Sequence, residues 1–432
     1  MSPAYHGVSR SAFDTLAAGG GGPDVIGELA AGQYSKHLTL LYGVLDAVRS
    51  GPGRGREQAR FAREGSKLLA AAQRHDPAAA AQVIQYPSVG AWALRTLRAL
   101  RGGPAWPEAE PGGLRAVAAA AAIRAGLPAQ IDVTAAGGVV VLPSLGAAVV
   151  PGDGAAVVRS APKGAEVCST AGPVKVPADP EHNGPGWLPL RRIRAGSLDV
   201  VLDDLDPFRM PTLTDLSSRL SASEAGRWEA ELQAAWLRLD PYLAKEISPA
   251  ISMIVPRAAP PGDYVSSTVP ENFGAVAMSH PPDSLDGAAT LVHETQHLKL
   301  FALLDVVALT LPDDGCRYYA PWREDPRPLG GLLQGAYAFL GVGRFWRAQA
   351  RVAHGDARLR AATEFARWRS GVALVVGTLL ASGRLTSAGE DFVRGMARTL
   401  SSWRDEPVPA AAQARADRQA TAHRTRWRLD NG

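Results

Sequence analysis

The chain has 432 residues, 46% of them hydrophobic and 20% charged, which is long enough for two or three domains and apolar enough for a sizeable core. Its 46 lysines and arginines face 42 acids, and the resulting formal charge of +4 is too mild for a nucleic-acid binder. The 45 glycines and 33 prolines follow no collagen-like period, and Cys168 and Cys316 form no CxxC pair, which points to reduced or inert thiols rather than a stapled secreted scaffold.

The first residues, MSPAYHGVSRSAFDTLAAGGGG, lack an uninterrupted apolar targeting core. After GGGGPD, residues 25–50 carry Ile26, Leu29, Leu38, Leu41, Leu45 and Val48 at helical spacing, which predicts one or two helices with these side chains inward. GPGRG (51–55) reads as a loop, and REQARFAREGSKLLAAAQR as a further helix. Pro77 suits the first turn of the next helix. SVGAWALRTLRALR (88–101) and LRAVAAAAAIRAG (114–126) complete a helical region over 1–128.

From residue 130 the texture changes. IDVTAAGGVVVLPSLGAAVV, GAAVVRS, GAEVCST and GPVKVP are β-branched runs cut by Gly and Pro, and WLPLRRIRAG and LDVVLDDLDP extend the strands to about 207. The spacers are too short for crossover helices, so the sheet is expected to be mainly antiparallel. SASE (221–224) offers a serine cap to a helical insertion, after which ISMIVP (251–256) and GAVAMSH (274–280) add strands. Residues 284–432 return to helix; within them GVALVVGTLL (371–380) is too short to span a bilayer and reads as buried helix. The expected class is α+β, predominantly helical, in three regions: 1–128, a β-rich 129–283 and a helical 284–432. A soluble, cytoplasmic protein that binds neither membrane nor nucleic acid is the matching expectation.

Chemistry concentrates in LVHETQHLKL (291–300). His293 and His297 lie four apart, about 6 Å along a helix axis and on one face, as two imidazoles sharing one metal ion require. Glu294 stands beside the first as the candidate acid or base. A third ligand is harder to find. Asp305 lies eight residues past His297, about 12 Å farther along a continuous helix, and fails. Glu364 shares a face with Ala361, Trp368, Val372 and Val375, where a carboxylate asks for a cation, either a metal or an arginine. Gln334, His280 and His354 are weaker candidates.

With zinc, Glu294 would activate metal-bound water for peptide hydrolysis, helped by Tyr318, Tyr319 or Tyr337. With iron, two histidines and a carboxylate would leave room for a 2-oxo acid and dioxygen. The distal carboxylate of such an acid wants an arginine, and YYAPWREDPRPLGG supplies Arg323 and Arg327 in a Pro-stiffened loop. The alternative for those two is an ordinary pairing with Glu324 and Asp325.

HETQHLKLFALLD, YYAPWREDPRPLGGLLQGAYAF and EFARWR together resemble the HExxH-type 2-oxoglutarate-dependent peptide β-hydroxylases of ribosomal peptide maturation, most strongly over 285–400. The resemblance implies Fe(II), 2-oxoglutarate and dioxygen as cofactor and co-substrates, with His293 and His297 as metal ligands. It implies a ribosomally made precursor peptide as substrate and other peptide-modifying enzymes as companions. A zinc metallopeptidase and a non-catalytic precursor-binding subunit are the competing readings.

Overall fold

The computed structural model describes residues 7–50, 56–104, 106, 109–260 and 262–431. Six helices come first: α1 (Arg10–Ala17), α2 (Pro23–Ser50), α3 (Arg56–His75), α4 (Pro77–Ile84), α5 (Pro87–Leu100) and α6 (Leu114–Arg124). Proline opens α2, α4 and α5, where its missing N–H costs nothing, and Asp76 caps α4 through the N–H groups of Ala78 and Ala79. On α2, Ile26, Leu29 and Leu41 are buried as expected, whereas Leu38, Leu45 and Val48 are half-buried and the polar Gln33 and His37 lie inside.

The central region forms three sheets. β1 (Ala129–Ala135), β4 (Gly154–Ala161), β5 (Gly164–Ser169) and β6 (Gly172–Val176) make an antiparallel four-stranded sheet, and β2 (Val139–Leu142), β3 (Gly146–Val149) and β7 (Trp187–Pro189) an antiparallel three-stranded one. The third sheet runs β11 (Ser266–Ser267), β12 (Ala275–Met278), β10 (Met253–Pro256), β9 (Leu198–Leu202), β8 (Arg191–Ala195). Its centre is parallel: β9 pairs with β10 and β10 with β12. The sheets are mainly antiparallel, as expected, and this parallel centre is the exception; the helical insertion α7 (Ala222–Trp236) and α8 (Pro241–Ile247) supplies the crossover from β9 to β10. Ser221 and Glu224 form the full capping box at the start of α7.

β10 and β12 are buried throughout, and their alternating side chains feed two different cores. Ile254, Val276 and Met278 join the core of the C-terminal helices, and Met253, Val255, Ala275 and Ala277 join that of α2–α6 and the antiparallel sheets. The C-terminal helices are α9 (Ser284–Leu304), α10 (Leu329–Val352), α11 (Gly355–Ala381), α12 (Ser387–Ser402) and α13 (Ala410–Asn431). The α+β class stands, helix-dominated. Among the described residues no helix is long and apolar enough to cross a membrane, and Cys168 and Cys316 are both free thiols.

The glycine run after α1 docks into this bundle. The Gly19 carbonyl accepts from Gln296 and Arg344, each at 3.2 Å, and the Gly20 carbonyl from Lys299 at 2.9 Å. A Cβ at Gly20 would come within 2.7 Å of the Tyr242 hydroxyl and one at Gly21 within 3.0 Å of the Glu246 side chain, so these two glycines fit where side chains would crowd. Lys299 and Glu246 form an ion pair there, 0% and 1% exposed at their side chains. Removing one member of a buried pair strands the other charge. Glu246→Leu is therefore expected to cost about 3–5 kcal/mol in urea unfolding, and Lys299→Met with Glu246→Leu much less. Equal losses from the single and the double variant would show that the pair is not what stabilises this junction.

The predicted strand 198–207 stops at Leu202 because Asp203 turns the chain: its Oδ1 accepts from the N–H groups of Leu205 and Asp206 at 2.9 and 3.0 Å. Asp203 also accepts from the Tyr86 hydroxyl at 2.7 Å and Asp206 from the Ser88 hydroxyl at 2.6 Å, all deep in the core. Burial first, then the Asp203 charge, pushes the Asp206 carboxyl up to about 7. The folded state thus keeps a proton that the unfolded carboxyl releases near pH ~4. That contribution to stability is full below pH ~4 and is lost as pH rises through about 7. Asp206→Asn is expected to flatten the fall in urea midpoint between pH ~4 and about 7. An unchanged pH profile in that variant would refute the assignment.

Candidate functional site

Asp283 starts α9 by accepting from the N–H groups of Leu285 and Asp286, each at 2.8 Å. From there the helix is buried nearly all round. Beyond Ser284 and Leu285 at its start, its open positions, Asp286, Ala289, His293, His297, Phe301 and Leu304, fall three or four apart and form one stripe. The two motif histidines sit at the middle of that stripe.

Their Nε2 atoms are 3.1 Å apart, with the rings 4.7 Å between centroids and near edge-to-face. Two nitrogens each about 2.1 Å from a shared ion would subtend about 95° at this separation, an ordinary angle for adjacent ligands. His297 Nδ1 lies 3.2 Å from the Gln334 amide oxygen of α10. An oxygen can only accept, so that contact puts the His297 proton on Nδ1 and leaves its Nε2 lone pair free. Without an ion, the 3.1 Å contact is a hydrogen bond from His293 Nε2–H to that lone pair. Burial, then the proximity of His297, holds the His293 pKa well below the ordinary histidine value and keeps the ring neutral, the form that binds metal.

An aromatic wall stands against the pair. Phe339 meets His293 edge-on at 5.0 Å and is stacked between Trp322 at 5.0 Å and Trp368 at 4.0 Å. Gly335 makes room for Trp322, since a Cβ there would come within 2.3 Å of the indole nitrogen.

Glu294 turns toward β11. Its Oε1 accepts from the Ser266 hydroxyl at 2.6 Å, its Oε2 has no partner, and the residue is 2% exposed. One turn earlier on α9, Tyr264 donates to the Thr290 hydroxyl at 2.7 Å. The two imidazole nitrogens, 3.1 Å apart, are a pair that could take up a divalent ion, while Glu294 is turned to Ser266.

The third ligand is not in place. Among the described residues no three His, Cys, Asp or Glu side chains are gathered to hold an ion. Glu364 lies on the expected face of α11 with Ala361, Trp368, Val372 and Val375 all buried, and its carboxylate faces Arg367 Nη1 at 3.8 Å. Arg323 and Arg327 both engage Asp325, at 2.7 and 3.0 Å, in a loop pinned by the Tyr318–Arg327 bridge. Asp305 follows the last turn of α9 and pairs with Lys36 at 2.8 Å, away from the histidines. His280 pairs with Glu231, and His354 occupies the N-cap of α11.

Of the tyrosines singled out, Tyr337 is buried with its hydroxyl on the Leu16 carbonyl, and Tyr319 bonds His423. Ser266, Tyr264 and the Trp322–Phe339–Trp368 stack went unread in the sequence. Ser266 stands on a two-residue strand with no periodicity to announce it, while the aromatic spacing on α10 and α11 was indistinguishable from core.

Ser266→Ala would leave the buried Glu294 carboxylate without its hydroxyl donor, and a loss of about 1–3 kcal/mol in unfolding free energy is expected. No change in stability would mean that the Ser266 bond does not hold Glu294. No known family's sequence profile matches the chain, and no curated protein is similar enough to it to count as a relative.

Proposed function

We propose that this chain is an Fe(II)- and 2-oxoglutarate-dependent oxygenase that hydroxylates a side-chain β-carbon of a ribosomally made precursor peptide. The observation that carries the reading is the convergence of His293 and His297 Nε2 atoms at 3.1 Å on the one open stripe of a buried helix. The resemblance of residues 285–400 to the peptide β-hydroxylases narrows the chemistry to oxygenation.

His293 and His297 would hold the ion. Bound Fe(II) with 2-oxoglutarate supplies oxidation of a C–H bond by dioxygen, releasing succinate and carbon dioxide. Gln334 holds His297 in the tautomer that presents Nε2. Phe339 and its stacked tryptophans exclude water from the His293 side and give the substrate an apolar wall. Arg323 or Arg327 would take the distal carboxylate of 2-oxoglutarate by exchanging it for Asp325. With Glu364 drawn to Arg367, a third protein ligand would require that carboxylate to leave its arginine.

A zinc peptidase needs the motif glutamate aimed at metal-bound water. Glu294 instead gives one oxygen to Ser266 and is nearly wholly buried, which favours oxygenation over hydrolysis. The test is anaerobic loading with Fe(II), addition of 2-oxoglutarate and oxygen with a precursor peptide, and mass spectrometry. A gain of one oxygen with matching succinate is expected, abolished in His293→Ala and His297→Ala. Gln334→Leu is expected to weaken Fe(II) binding about 10–100-fold. Peptide fragments formed with zinc and without oxygen, or full turnover by His293→Ala, would overturn the proposal.

A further inference from the structure

The strands of the mixed sheet have a second end. Ser266 of β11 pairs with Met278 at the carboxyl end of β12, beside α9. At the amino ends of β10 and β12, Ser252 and Gly274 instead line a cavity of about 410 Å3 closed by α2, the α4–α5 junction and the last turn of α6. The cavity shares no residue with the histidine site.

Arg124 ends α6 and reaches into this cavity. Its Nε donates to Ser144 Oγ at 3.0 Å, Nη2 to the Ser144 carbonyl at 2.5 Å and Nη1 to the Gln82 amide oxygen at 3.2 Å. All three acceptors are neutral. Among the described residues no carboxylate pairs with Arg124, although the residue is half-buried. A guanidinium has five N–H groups, so two are left for the cavity. Burial, then the like charge of Arg192, depresses the Arg124 pKa, the sign of a cation short of a counter-ion.

Ser144 adds a second sign. Its φ of 68° makes it the one non-glycine in the left-handed region among the described residues, and it is buried. Such a backbone costs about 1–3 kcal/mol and persists where surrounding contacts impose it. Here both of its oxygens accept from Arg124, which holds the plane of the guanidinium at the cavity wall. Across the cavity, Arg192 is balanced by Glu181 at 2.7 Å and by Asp199, itself on the wall, at 2.8 Å. The ionised groups on the wall are thus two arginines and one aspartate. The amides of Gln33 and Gln85 and the Tyr34 hydroxyl supply further hydrogen-bonding groups.

We infer that this cavity binds a small oxyanion, a carboxylate or phosphate group seated on the free edge of Arg124. The volume admits a small metabolite rather than a polymer, and the fork of N–H groups suits two oxygens on one centre. The inference is independent of the oxygenase reading.

Calorimetric titration of the full chain with succinate and, separately, with inorganic phosphate at constant ionic strength tests it. Saturable binding of either anion, absent for chloride, is expected, and which anion binds identifies the group. Arg124→Gln should weaken it at least about tenfold, the loss of a charged hydrogen bond. Because that variant also releases the Ser144 turn, Ala30→Phe provides the second arm: it fills the cavity from α2, leaves Arg124 intact, and should weaken binding as much. No saturable heat from either anion at concentrations on the order of millimolar, or unchanged affinity in Ala30→Phe, would overturn the site and leave Arg124 a structural latch for the Ser144 turn.

Discussion

Helix α9 is held from behind by groups that have almost no freedom to move. Lys299 and Gln296 project from its buried side, and both are tied to carbonyls of the glycine run that follows α1. Lys299 is further paired with Glu246 of α8. A buried ammonium must keep its partner, and a glycine segment that accepts three bonds from two helices cannot slide without breaking several of them. The helix is therefore fixed in rotation and in height. His293 and His297, which alternate with these anchors along the same turns, inherit that rigidity, and a pair of imidazoles 3.1 Å apart has little tolerance for a helix that rolls.

The mixed sheet performs the complementary task. Because β10 and β12 are buried on both faces, each strand sends one set of side chains to the C-terminal helices and the other to the N-terminal half. The two halves of the chain are thus stitched through one sheet rather than joined by a linker. The same strands separate two polar regions: the histidine stripe with Glu294 and Ser266 at one end, and the Arg124 cavity at the other. Each is built where the regular hydrogen-bonding of the sheet gives out, the place in such folds where side chains are free to serve something other than packing.

How much of this was legible depended on whether the signal was local. Capping at Ser221–Glu224, Pro77 at a helix start and the period of the C-terminal helices are interactions within a few residues, and they read correctly. The pairing of His293 with His297 is likewise a consequence of one helical turn. The parallel centre of the third sheet was not legible, because its crossover was itself read as an inserted helical segment. Glu364 shows the boundary well. Its apolar face demanded a cation, and the sequence alone left metal and arginine open; Arg367 on the next turn is the cation it faces.

By itself the sequence determined a helix-rich α+β chain with two imidazoles on one face of a helix, since periodicity and i to i+4 spacing are properties of the backbone. Only the tertiary structure decided which way Glu294 points, that Gln334 sets the tautomer of His297, and that Trp322, Phe339 and Trp368 stack beside His293. It also decided that Arg124, beside a strained serine, has no acid paired with it among the described residues. These depend on contacts between residues tens to hundreds of positions apart, and no local spacing encodes which of many polar side chains will meet once the core has closed.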